Sequence, residues 1–183
     1  MTKIKGGVIR GKTEEVKPKK NNNPKSPMFV GLDPSYNEFG LIILGHEGNI
    51  VEQMLITSDS KLEADKRIIQ LEEKFKFIPN IMGLRSTYIE GPAFSSKGQF
   101  VLQMGALHYY LRIFLIKKKV NFKIIAPGTL KKFVTGTGKG KKELILLKTY
   151  KKWGVEFNNN NLADAYGLAR MALEDFKNKV EER

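Results

Sequence analysis

Residues 28–33 read MFVGLD, and they run into PSYNEFG (34–40) and LIIL (41–44). The first six form a short apolar run that ends in an acid, which predicts a central strand. Pro34 opens a turn, and LIIL followed after GHEGN by IVEQMLI (50–56) gives two more strands at hairpin spacing. Three consecutive strands from one end predict an antiparallel meander. Downstream the period changes. In SKLEADKRIIQLEEKFKFI (60–78), Ile68, Leu71, Phe75 and Ile78 recur at i, i+3, i+7 and i+10, the stripe of an amphipathic helix. STYIEGP (86–92) is a fourth strand, again ending in an acid, Glu90. A long helix is expected over 98–117 with Val101, Met104, His108, Leu111 and Leu115 on one stripe, His108 among them as a core histidine. FKIIAP (122–127) supplies a fifth strand, followed by a glycine- and lysine-rich loop, a helix near 142–152 and a terminal helix opening at the asparagine run 158–161. The order βββαβαβαα predicts an α/β domain: a five-stranded mixed sheet, three antiparallel strands and then strands alternating with helices, flanked by helices.

Composition narrows the function. The 183 residues contain no cysteine, which excludes disulfides and thiolate zinc sites, and the two histidines, His46 and His108, lie far apart in sequence. No apolar stretch approaches the roughly 20 residues that span a bilayer. The N-terminus lacks a secretory signal, so a cytoplasmic protein with no membrane partner is expected. The net charge of +13 favours a polyanionic partner, because Lys and Arg release counterions from phosphates; a basic soluble protein without such a partner is the bland alternative. Residues 1–27 carry eight Lys or Arg and little apolar periodicity. They read as a disordered basic tail that adds sequence-independent DNA affinity, or equally as an expression remnant or solubilising tail. The folded domain is expected over 28–183.

Function should gather at the carboxyl ends of neighbouring strands in an open α/β sheet. Asp33 ends the first strand and Glu90 the fourth. If the two strands are adjacent, the carboxylates converge, and a divalent cation between them relieves their repulsion. Oxygen ligands without His or Cys suit Mg²⁺ or Mn²⁺. On the terminal helix Leu162, Tyr166, Ala169, Leu173 and Phe176 form the core stripe, and Asn161 and Asp164 project together from an adjacent one. Singly, each acid has a structural explanation: Asp164 as compensation of the helix dipole in a first turn, Asp33 as an Asx-type turn before Pro34. Together, two strand-terminal acids and a helix-start acid read better as one site.

GLDPSYNEFGLIIL (31–44), YIEGPAF (88–94), PGTLKKFVTGTGKGKKELI (127–145) and NLADAYGLARMAL (161–173) occur in this order. The pattern resembles the RuvC-type Holliday junction resolvases of the RNase H-like superfamily, in a phage-type branch. The resemblance implies a Mg²⁺-dependent endonuclease, a homodimer, that nicks two strands of a four-way junction symmetrically; a phage-encoded copy would work in the host cytoplasm. Asp33, Glu90 and Asp164 match three of the family's four acidic ligands. Lys131 and Lys142 match lysines implicated in DNA contact near the metals. Phe94 lies close to an aromatic used at the junction point, one residue further from the acid, and otherwise serves as a loop anchor. Lys97, Lys132, Lys139 and Lys141 complete the implied DNA-contacting set. The family places an Asp, or sometimes a His, where this chain has Asn161. An amide oxygen can ligate but brings no charge, so affinity for a second cation should fall.

The expected chemistry is two-metal phosphodiester hydrolysis with the ions roughly 4 Å apart. Asp33 would bridge, with Glu90 on one ion and Asp164 with Asn161 on the other. In this reading Asn161→Asp tightens the second cation, whereas at a mere helix cap the change is nearly neutral. Tyr109, Tyr110 and Phe114 are expected either at the homodimer interface or in the core. Three rivals stay open: a looser fork and flap endonuclease, a non-catalytic junction-binding protein weakened at Asn161, and an RNA-binding or ribosome-associated module. The last leaves the converging acids unexplained.

Overall fold

The computed structural model describes residues 26–81, 83–92, 98–138 and 143–182. Five strands make one sheet: β1 (Met28–Asp33), β2 (Phe39–Gly45), β3 (Ile50–Ile56), β4 (Leu84–Glu90) and β5 (Phe122–Ile125). Their spatial order is β3-β2-β1-β4-β5. β1 pairs antiparallel with β2 and parallel with β4, and β4 is parallel to β5. The sheet is therefore mixed, and β1 is central, as the sequence predicts; with its helices it is the RNase H-like α/β arrangement. The expected basic tail lies, except for Ser26 and Pro27, outside the described residues.

Helices cover both faces. α1 (Ala64–Phe75) and α2 (Gln99–Lys117) lie on one; α3 (Pro127–Thr135), α4 (Glu143–Trp153) and α5 (Asn160–Glu181) lie on the other. The period of two along β1 divides its side chains between them. Val30 and Leu32 join the α1–α2 core with Ile68, Leu71, Phe75, Leu107 and Leu111. Phe29 joins the α3–α5 core with Leu130, Val134, Tyr166 and Leu173. β2 is buried along its whole length, which explains its unbroken apolar run. It starts at Phe39, two residues before LIIL. Phe75 sits between Phe39 and Phe114, with ring centroids 5.6 and 5.4 Å away, and locks α1 and α2 together over the sheet.

Two details differ from the sequence reading. Pro127, read as the end of the fifth strand, and residues 128–135, read as the start of a loop, form the helix α3. Pro127 pre-sets the first helical φ, Ala126 O accepts from Thr129 and Leu130, and Gly136 at φ 82° ends the helix. Nine residues with apolar positions at Leu130 and Val134 give too weak a period to outweigh the glycines that follow. In α2, Val101 lies on the exposed side; the buried residues are Leu107, His108, Leu111, Phe114 and Leu115. Of the aromatics assigned to either interface or core, Phe114 is core, Tyr109 is exposed, and half-buried Tyr110 donates its hydroxyl to the Glu72 carboxylate. His108 is a core histidine: burial, with Arg112 nearby, holds its imidazole down at about 4, so it stays neutral.

The closest packing is backbone to backbone. A Cβ placed on Gly31 of β1 would lie 1.9 Å from Ala165 O, and one on Gly40 of β2 would lie 2.2 Å from Asn161 O. Both glycines are needed because α5 rests directly on these strands. Gly31→Ala should therefore cost about 3 kcal/mol or more, since neither backbone can yield. Gly105→Ala, in the middle of α2 with open space around it, should be neutral or stabilising by up to about 1 kcal/mol. Urea denaturation midpoints of the two variants check this; equal midpoints would contradict the close approach.

Candidate metal centre

Leu32 pairs with Ile89 in the parallel β1–β4 ladder, so Asp33 and Glu90 end neighbouring strands at the same rim. Parity fixes which face they use. Asp33 is two residues from Gly31, which touches α5, and Glu90 is two residues from Tyr88 of the α3–α5 core. Both acids thus belong to the face that α5 covers. Asp164 comes from α5 itself. One carboxylate oxygen from each of Asp33, Glu90 and Asp164 can be chosen so that all lie within 4.8 Å of one another, and among the described residues this is the one such grouping of His, Cys, Asp or Glu. Asp33 is only 8% exposed, and the other two are half-buried.

These residues fit a divalent cation. Three acceptor-only groups of like charge raise one another's energy at this separation. A hard divalent ion between them reverses the sign of the interaction, and an all-oxygen set without imidazole or thiolate suits Mg²⁺ or Mn²⁺.

Helix-dipole compensation does not account for Asp164. The helix begins at Asn160, its first turn contains no acid, and Asp164 stands in the second turn. The cap is Asn159, whose side-chain oxygen accepts from Asn161 N at 2.9 Å and Leu162 N at 3.2 Å. Asn161 is therefore not the cap. Its side-chain amide donates to the main-chain oxygen of Glu38, the residue before β2. Because that partner is a carbonyl, the atom facing it must be Nδ2. Asn159 Nδ2 in turn donates to the Glu38 carboxylate at 2.9 Å. Sequence reasoning passed over Glu38 and Asn159. Four consecutive asparagines are equal candidates for one cap, and an acid between Pro34 and a strand looks like ordinary turn chemistry.

Lys131 and Lys132 lie on α3, not on a loop, with Lys132 exposed and Lys131 half-buried. Phe94, Lys97, Lys139, Lys141 and Lys142 lie outside the described residues. No helix among the described residues is long and apolar enough to cross a membrane.

No protein-family model matches the chain. It is 27% identical over 154 residues to the crossover junction endodeoxyribonuclease RuvC of Sulfurovum sp. (strain NBC37-1), a match that covers 81% of this chain and 96% of that one. A second relative of the same description, from Rickettsia typhi (strain ATCC VR-144 / Wilmington), is 27% identical over 156 residues, with 80% and 96% covered. Among solved structures, Thermus thermophilus RuvC in complex with Holliday junction substrate superposes with a TM-score of 0.69 at 15% identity, covering 85% of this chain and 96% of that one. These relatives are bacterial. The chain is thus RNase H-like in fold and, along most of its length, similar in sequence to the RuvC crossover junction endodeoxyribonucleases.

Proposed function

We propose that this protein is a metal-dependent, structure-selective DNA endonuclease that resolves four-way junctions by paired symmetric nicks. The observation that carries the reading is the convergence of Asp33, Glu90 and Asp164, from two adjacent strand ends and a covering helix, within 4.8 Å. An all-oxygen cluster of this kind suits a hard divalent cation. Similarity to RuvC relatives over nearly their whole length and the +13 charge support a branched-DNA substrate. Placement in a phage-type branch rests on the sequence motifs alone.

In this reading Asp33, Glu90 and Asp164 hold two divalent cations, Mg²⁺ or Mn²⁺. When bound, such ions polarise the scissile phosphate and supply a water of lowered pKa. The protein's own part is positional. Rigid strand ends fix two carboxylates, and α5 fixes the third. Partial burial of Asp33 limits competing water around the ligands. Lys131 and Lys132, together with Lys97, Lys139, Lys141, Lys142 and Phe94, are assigned to DNA. Lysine contacts to backbone phosphates would select shape and not base sequence.

Cleavage of a synthetic four-way junction, a flap and a linear duplex in Mg²⁺ tests the proposal. The junction should be nicked at two symmetry-related positions and the duplex left intact. Equal cutting of the flap would favour the broader branched-DNA endonuclease, and binding without nicking would favour a non-catalytic junction protein. Asp33→Asn should reduce nicking to background while mobility-shift affinity for the junction stays within about threefold, because one rim carboxylate contributes little to a backbone-phosphate interface. Substantial nicking by this variant would remove Asp33 from the site.

Paired nicks need two sites related by a two-fold axis. α2 offers a surface for that axis: Leu102, Ala106, Tyr109, Ile113 and Ile116 are exposed at i, i+4, i+7, i+11 and i+14, with Leu102 75% and Tyr109 63% exposed. This is the spacing of a helix–helix seam, here left open to solvent. We assign it to a second copy of the chain. Light scattering should give twice the 20.8 kDa monomer mass, and Tyr109→Asp combined with Ile113→Asp should give the monomer. A parent monomer at micromolar concentration, with and without junction DNA, would contradict the assignment.

A further inference from the structure

Three polar side chains connect the turn between β1 and β2 to the start of α5. The Glu38 carboxylate accepts from Asn159 Nδ2 at 2.9 Å. Asn159 Oδ1 caps the helix through the Asn161 and Leu162 amides. Asn161 Nδ2 returns to the Glu38 main-chain oxygen. The loop of contacts is closed, because both asparagines sit in α5's opening turn and both reach the same turn residue. Beside it Gly40 meets the Asn161 carbonyl with no room for a Cβ. Asp33 lies on one side of this closed loop, at the end of β1. Asp164 lies on the other, one turn into α5.

We infer that Glu38, Asn159 and Asn161 form a clasp that sets the distance between Asp33 and Asp164, and that Asn161 is a positioning residue and not a metal ligand. The inference rests on the metal-centre reading above. Its chemical basis is that Asn161 must donate a hydrogen bond. A carboxylate at position 161 cannot donate to Glu38 O, and it would set two oxygen acceptors against each other in a half-buried place. The clasp therefore explains the choice of an amide here. It also makes a prediction opposite to that for a ligand position: more negative charge at 161 should weaken cation binding, because the helix start is released from the turn.

The link between Asn159 and Glu38 can be tested by exchanging donor and acceptor. Asn159→Asp keeps the cap, since Asp caps about as well as Asn, but turns a carboxylate toward Glu38. Adding Glu38→Gln supplies the missing N–H from the other side. The reciprocal pair restores the contact and changes no proposed ligand.

Mn²⁺ titration by calorimetry, with the metal-free melting temperature of each variant measured in parallel, decides the matter. Asn161→Asp should weaken Mn²⁺ binding by about three- to tenfold, the worth of one lost hydrogen bond. Asn159→Asp should do the same, and Asn159→Asp with Glu38→Gln should return to within about twofold of the parent. Should Asn161→Asp fail to fold, the Asn159 and Glu38 variants carry the test alone. Tighter Mn²⁺ binding by Asn161→Asp would make position 161 a ligand and overturn the clasp while leaving the metal centre standing. Failure of Glu38→Gln to rescue Asn159→Asp would overturn it as well. A parent protein that binds no Mn²⁺ would overturn the metal-centre reading and the clasp with it.

Discussion

The contact between the backbone of α5 and the backbones of β1 and β2 governs this structure. At Gly31 and Gly40 the helix lies so close that a methyl group would penetrate the Ala165 or Asn161 carbonyl. Small residues on the helix, Ala165, Ala169 and Ala172, are buried along the same approach. Larger side chains at its margins, Tyr166, Leu168 and Leu173, supply the apolar burial that holds it down, each worth about 1.5–3 kcal/mol. The register of helix on sheet is consequently fixed, and so is the height of Asp164 above the strand ends.

That register has an electrostatic consequence. Folding brings three carboxylates within 4.8 Å of one another at a partly buried rim, and like charges at that separation repel. The packing of α5 carries this cost because the helix is anchored along many buried residues, and only its first turns face the acids. A bound cation would return stabilisation that grows with the logarithm of its concentration relative to its dissociation constant. A centre of this kind is preorganised by apolar contacts on the far side of the helix. Glu38, Asn159 and Asn161 add polar links between the helix start and the turn before β2.

Much of this was legible in the residues themselves. MFVGLD and STYIEGP each combine apolar continuity with a terminal acid, and once β1 and β4 are neighbours, parity alone puts Asp33 and Glu90 on one face. The i, i+4, i+7 stripe of α5 picked out buried residues, Leu162, Tyr166, Ala169 and Leu173, but Leu168 and Met171, read on the same stripe as Asn161 and Asp164, are buried in the core as well. What could not be read depends on tertiary contact. α3 is short, and its two buried residues, Leu130 and Val134, acquire meaning only against Gly167 of α5. Val101 carries an apolar side chain on the wrong side of α2, where nothing in the period separates a core position from an exposed one. The cap is Asn159 and not Asn161, and both asparagines find further partners on Glu38, its carboxylate and its main-chain oxygen, just before β2. Those partners lie more than 120 residues away in the chain.

The central claim is that Asp33, Glu90 and Asp164 are the ligands of a divalent metal centre. Anomalous diffraction from crystals grown in Mn²⁺ tests it most directly, because the signal locates the ion independently of any assay of activity. Anomalous peaks should appear within bonding distance, about 2.0–2.2 Å, of oxygens from all three carboxylates. A map at saturating Mn²⁺ with no peak among them, or with the ion held by other residues, would contradict the account.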